Sequence, residues 1–121
     1  MPASPLKILF FAEGATLAHV ARPYVVAQSL SPEAFEVVFA RPSSFAWLTA
    51  GSGFRTIDLP CQDGKVFARR LEHGRPLYDY ATLAAYVEQD LALIDAERPD
   101  VVIGDFRLSL SVSARLRNVP Y

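Results

Sequence analysis

Residues 100–104 read DVVIG, an apolar run with no alternation between polar and apolar positions. A strand with one wet face alternates; a strand that does not is covered on both faces. Two-sided burial is the condition of a parallel sheet with helices above and below it, and that requirement limits what the rest of the chain can be. LKILFF at 6–11 has the same character and is bounded by Glu13-Gly14. FEVVFA at 35–40 and FRTIDL at 54–59 supply two further strands, the second stopped by Pro60. Helical spacing fills the gaps. Val20, Tyr24, Ala27 and Leu30 predict a helix from about His19 to Leu30, which Pro23 fits only from the first turn, where no backbone donor is needed. Pro42-Ser43-Ser44 offers a cap for a short helix through Phe45, Leu48 and Thr49, closed by Gly51 or Gly53. Leu77, Tyr80, Leu83, Ala84, Val87, Leu91 and Ile94 predict the strongest helix, broken by Arg98-Pro99.

Residues 61–76, CQDGKVFARRLEHGRP, carry no clean period and read as a long loop. LSLSVSARLRN fits a strand by alternation and a helix by the spacing of Leu108, Val112 and Leu116; the basic end favours the helix. Val119-Pro120-Tyr121 then reads as the entry to a fifth strand, and MPASP at 1–5 as a disordered lead-in. The fold class expected is α/β: one domain over 1–121, a doubly wound, mainly parallel Rossmann-like sheet with helices on both faces. Ligands of such sheets sit beyond the carboxyl ends of the strands, where strand order reverses. An order 3-2-1-4 would place the loops after the first and fourth strands side by side, and those loops hold His19 and Asp105.

The composition narrows the function classes. A net charge of −1 gives no broad electrostatic reason to expect a nucleic-acid or membrane partner. The single cysteine, Cys61, excludes an internal disulfide. No stretch approaches the ~20 apolar residues of a membrane span, and the opening segment lacks a secretory pattern, so a cytoplasmic protein is expected. Two histidines and one cysteine, widely spaced, make no zinc-type ligand set, and no metal site is expected.

AEGATLAHVARP at 12–23 follows the first strand. It holds only Gly14 where a dinucleotide fingerprint needs three glycines, and no G-K-[ST] occurs, so neither phosphate loop is present. Ser109, Ser111 and Ser113 lack the G-x-S-x-G elbow of a hydrolase. His19 reads either as a packing residue at a helix start or as a base, since the dipole there favours the neutral ring. Asp105 reads either as a cap for the next helix or as the carboxylate that fixes the tautomer of His19. His73 and the basic residues Lys65, Arg69, Arg70 and Arg75, offset by Asp63 and Glu72, read as a solvated loop.

KILFFAEGATLAHVARPYVVAQSL, EVVFA, GFRTIDLP and RPDVVIGDFRLSLSVSARLRNVPY together resemble, in that order, the N-terminal half of GT-B glycosyltransferases, the UDP-glucuronosyltransferase-like and macrolide-type enzymes above all. The resemblance is specific at the first loop and at RPDVVIGDF, and loose over 61–90. It implies an acceptor-binding domain of an inverting enzyme. The family's G-H-V-x-P becomes Ala18-His19-Val20-Ala21-Arg22-Pro23, with alanine in place of the glycine. His19 would be the base, Asp105 its partner, and Gly14, Thr16, Phe106 and Arg107 would line the acceptor, a small hydroxylated molecule. No cofactor is expected in this chain. The nucleotide-diphosphate sugar donor belongs to a C-terminal domain, or a second chain, outside these 121 residues. The chain alone would then be inactive and could self-associate through an uncovered apolar face. A non-catalytic α/β module for ligand binding or partner docking is the alternative; a receiver domain lacks its acidic cluster.

Overall fold

The computed structural model describes residues 4–121. Residues 1–3 of the expected lead-in lie outside the described residues; Ser4 and Pro5 are exposed and precede the first strand. The chain runs β1 (Leu6–Ala12), α1 (Ala18–Ser29), β2 (Phe35–Arg41), a 3-10 turn (Ser43–Phe45) leading into α2 (Ala46–Thr49), β3 (Arg55–Asp58), α3 (Gly64–Glu72), α4 (Tyr80–Glu97), β4 (Val101–Asp105) and α5 (Leu110–Leu116). All strand pairs are parallel, in the order β3-β2-β1-β4. This is an α/β, Rossmann-like arrangement, with the two strands of unalternated sequence, β1 and β4, adjacent at one side of the sheet.

Alternate residues of β1 go to opposite faces, as strand geometry dictates. Leu9 and Phe11 join Val38, Leu59, Val102 and Ile94 on one face, under α4 and α5. Ile8, Phe10 and Ala12 join Phe39, Val20 and Ala27 on the other, under α1. Phe10 and Phe39 stack at 5.6 Å between ring centroids. Fully burying one such ring is worth about 1.5–3 kcal/mol, which is why both faces of the central strands are closed by large side chains. Ala12 pairs with Asp105, so β1 and β4 end flush. Among the described residues no helix is long and apolar enough to cross a membrane.

Four expectations change. α1 begins at Ala18, so Pro23 is its sixth residue and lies in the second turn. The bend at 14–17 runs directly into the helix, and Leu17 already has helical angles. Pro23 leaves the His19 carbonyl without its helical donor, and its ring is buried as compensation.

The expected long loop contains α3. Asp63 caps it, its carboxylate accepting from the Lys65 N–H at 2.7 Å. Gly74, at φ 63°, closes it. Only Phe67 of this helix is buried, too little to create a visible period.

α4 starts at Tyr80, capped by Asp79 through the Thr82 N–H at 2.8 Å, so Leu77 precedes it. Its buried line is Tyr86, Asp90 and Ile94, while Tyr80 is 86% exposed. The apolar residues had pointed to a different face because an aspartate occupies the centre of the true one.

β4 extends to include Asp105. The expected fifth-strand entry meets the outer edge of β4, where the Val102 N–H donates to the Pro120 carbonyl at 3.0 Å.

Candidate functional site

The flush ends of β1 and β4 bring the turn after each strand together, and the Glu13 N–H donates to the Asp105 carbonyl at 3.3 Å. α1 rises from this edge with His19 as its second residue. The His19 ring is half-buried, and its Nδ1 is enclosed with no hydrogen-bond partner. Phe106 lies flat on it, 4.6 Å between centroids and 4° between planes. Phe67 of α3 meets it edge-on at 6.4 Å and meets Phe106 at 5.8 Å. Phe106 has φ 58°, a left-handed conformation that a bulky side chain rarely takes. Such outliers persist where surrounding structure enforces them, and they gather at functional sites.

Asp105 is at the same edge, but its direct partner is Arg22. The guanidinium is bidentate on the carboxylate, 2.9 Å from Nε to Oδ2 and 2.8 Å from Nη2 to Oδ1. No hydrogen bond joins Asp105 to His19 in this structure. Nor does Asp105 cap α5, whose N-cap position is Ser109. Arg22 follows His19 by three residues on α1, so both look toward the end of β4.

Arg107, expected to line the acceptor, is instead buried and fully engaged. Its Nε donates to Asp90 at 3.0 Å, its Nη2 to Gln89 at 3.1 Å, and its Cζ lies 3.6 Å over the Tyr86 ring. Asp90 also accepts from the Ser109 and Ser113 hydroxyls at 2.6 and 2.8 Å. Glu13 is fully buried 3.6 Å from Arg107, with neither carboxylate oxygen in a hydrogen bond. Burial first, and the Glu13 charge second, push the Cys61 thiol up to about 12. Burial, with Glu13 adding to it, also holds the Tyr78 and Tyr86 phenols above their ordinary range. This polar cluster anchors the turn that carries Phe106: Arg107 is its next residue, and Ser109 sits two further on.

Gly14 lies in the first loop beside a cleft of about 360 Å³ that Ser43, Ser44, Asp58 and Gln62 also line. A side chain at Gly14 would run into Pro42, 2.1 Å from an added Cβ to Cγ, so glycine is required for close approach. Thr16 is half-buried in the bend leading into α1. Among the described residues no group of three His, Cys, Asp or Glu side chains is placed to hold a metal ion.

Sequence reasoning missed Arg22, Glu13, Phe67 and Asp90. Arg22 had a usable signal, one helical turn from His19 inside the same short segment. Glu13 and Asp90 had none, because a carboxylate's burial depends on partners distant in sequence.

No family model matches the chain. Comparison with curated proteins places it among sequences similar to glycosyltransferases. It is 46% identical over 115 residues to the PGL/p-HBAD biosynthesis rhamnosyltransferase of Mycobacterium bovis, a match covering 95% of this chain and 25% of that protein. It is 43% identical, again over 115 residues, to a PGL/p-HBAD biosynthesis glycosyltransferase of Mycobacterium tuberculosis, covering 27% of it. The same identity holds to a Mycobacterium bovis protein named an inactive PGL/p-HBAD biosynthesis glycosyltransferase, covering 31% of it. The chain thus spans between a quarter and a third of the length of these relatives.

Proposed function

We propose that the chain is the acceptor-binding part of an inverting GT-B glycosyltransferase, with the nucleotide-diphosphate sugar held by a C-terminal domain or a second chain. His19 takes the proton of an acceptor hydroxyl on Nε2. The freed oxygen attacks the anomeric carbon, and the bond from that carbon to the nucleotide diphosphate breaks, the leaving group carrying away the electron pair. A base so placed supplies about 10²–10⁴-fold in rate. The observation that carries this reading is the buried, unpartnered Nδ1 of His19. A carboxylate there would fix the proton on Nδ1 and leave the lone pair of Nε2 for the acceptor. Asp105 is the nearest candidate by topology. Its present partner is Arg22, which is largely exposed, 62% by side chain, and free to turn to solvent. The reading requires Arg22 to yield Asp105 to His19 when acceptor binds. Arg107 acts by holding the Phe106 turn, and Gly14 with Thr16 borders the acceptor.

A second reading has its own support. The relative named as inactive matches this stretch as well as an unqualified glycosyltransferase does. A non-catalytic ligand-binding module of the same fold is the alternative.

Glycosyl transfer by the full-length polypeptide that carries this chain separates the two, comparing wild type with His19→Ala. The panel takes nucleotide-diphosphate sugars, rhamnose donors included, with hydroxylated aromatic and lipophilic acceptors. The base role predicts a loss of about a hundredfold or more with the fold intact by circular dichroism. Transfer that survives the change assigns His19 to packing, and no transfer by wild type favours the non-catalytic module. The 121-residue chain by itself is expected to transfer nothing.

A further inference from the structure

α3 turns Phe67 inward against His19 and presents a basic face outward. Val66, Arg69, Arg70, His73 and Arg75 surround a concave pocket of about 350 Å³. Arg70 is occupied, donating to the Pro76 carbonyl at 3.1 Å and to Asp79 at 3.3 Å. Arg69 and Arg75 have no carboxylate within salt-bridge distance among the described residues. Glu72, the one acid on the helix, lies about 120° round from Val66 and three residues beyond Arg69, with which it forms no ion pair.

The pocket is fixed by the helix end. The Gly74 N–H donates to the Leu71 carbonyl at 3.2 Å and the Arg75 N–H to the Arg70 carbonyl at 2.9 Å. That paired cap, with Gly74 left-handed, folds Arg75 back over the last turn, so Arg69 and Arg75 converge without a loop to order. His73 is pinned in the same way by its Nδ1 contact with the Arg69 carbonyl at 2.7 Å. The chain's net charge is −1, so this is a local concentration of positive charge against the overall balance. Two free guanidiniums on a preformed concave surface match a carboxylate or phosphate group. Val66 adds an apolar wall beside them.

We propose that this pocket binds a small anion with an apolar part, its carboxylate or phosphate on Arg69 and Arg75 and its apolar part against Val66.

The test is amide NMR on the 121-residue chain, titrated at low ionic strength with benzoate, phenyl phosphate and inorganic phosphate. Sodium chloride at matched ionic strength is the control. Saturable shifts confined to residues 66–75 are expected, with the aromatic anions binding more tightly than inorganic phosphate. Arg69→Gln and Arg75→Gln should each weaken binding about tenfold, the loss of one charge-assisted contact. Identical shifts with chloride, or unchanged binding in both variants, would overturn the site. So would binding confined to anionic lipid vesicles. Equal binding of inorganic phosphate and the aromatic anions would overturn the role of the Val66 wall.

Discussion

Phe106 shows how much of this site depends on single residues held against their preference. A left-handed backbone costs a non-glycine residue about 1–2 kcal/mol. Stacking on His19 at 4.6 Å and the edge contact with Phe67 at 5.8 Å recover about 0.5–1.5 kcal/mol each, so the conformation is stable only while both rings are present. Phe106→Ala removes the ring and both of its contacts and keeps the strain; Phe106→Gly removes ring and strain alike. The glycine variant should therefore unfold in urea at a free energy about 1 kcal/mol higher than the alanine variant, although glycine is the smaller residue. Equal stability, or a more stable alanine variant, would show that the turn carries no strain. The same scale marks the limit of sequence reading. His19 and Asp105 could be placed at one edge because strand order follows from the pattern of runs. The bidentate Arg22 contact on Asp105 could not, since side-chain direction is settled by packing.

At the scale of elements, strands were legible and one helix was not. β1 and β4 announce themselves because both faces are covered. α3 buries one residue, and its signals are punctuation alone: Asp63-Gly64 at the start, His73-Gly74 with Pro76 at the end. Those are start and stop signals for a helix, and without an apolar stripe between them they read as loop. α4 was legible as a helix but not in its orientation, because Asp90 takes a core position through Arg107, Ser109 and Ser113. The far end of α4 ties the sheet together. Glu97 is bonded to Arg55 at β3 and lies 3.2 Å from Lys7 of β1. Arg55 first, opposed by partial burial and supported by Lys7, holds the Glu97 carboxyl below its ordinary value of 4.5. A depressed carboxyl stabilises the fold at pH above its unfolded value and loses that contribution as pH falls through the lower, folded value. Glu97→Gln should lower the Tm at pH 7, and the gap between variant and wild type should close below pH 4.5. A gap that persists unchanged into acid would mean that Glu97 contributes by packing alone. Thermal unfolding followed by circular dichroism across pH 3–7 reads both.

Across the whole molecule, two layers of helix enclose a sheet whose central strands are dry on both sides, while the chemistry sits at one end. The unalternated runs made this plan legible. They could not reveal that the same end carries a buried charged cluster, since Glu13 lies most of the chain away from Asp90 and Arg107, and those two sit on different elements. Nor did helical spacing say which way α5 faces. Leu108, Val112 and Leu116 are each at least half exposed, so their period marks an outward stripe, and Leu110 and Ala114 do the packing. The cluster also makes the chain report on its own breathing. Cys61 is the chain's sole thiol, half-buried with Arg107 3.9 Å away, and burial with the Glu13 charge beside it keeps the thiol protonated at neutral pH. In any opened form the thiol returns toward its ordinary value and reacts far faster. Alkylation of Cys61 therefore clocks the opening of the site edge: its rate should rise steeply in Arg107→Met, which loosens the cluster, and fall when a ligand closes the edge. A rate indifferent to both would mean that the cluster does not gate access to that end of the sheet.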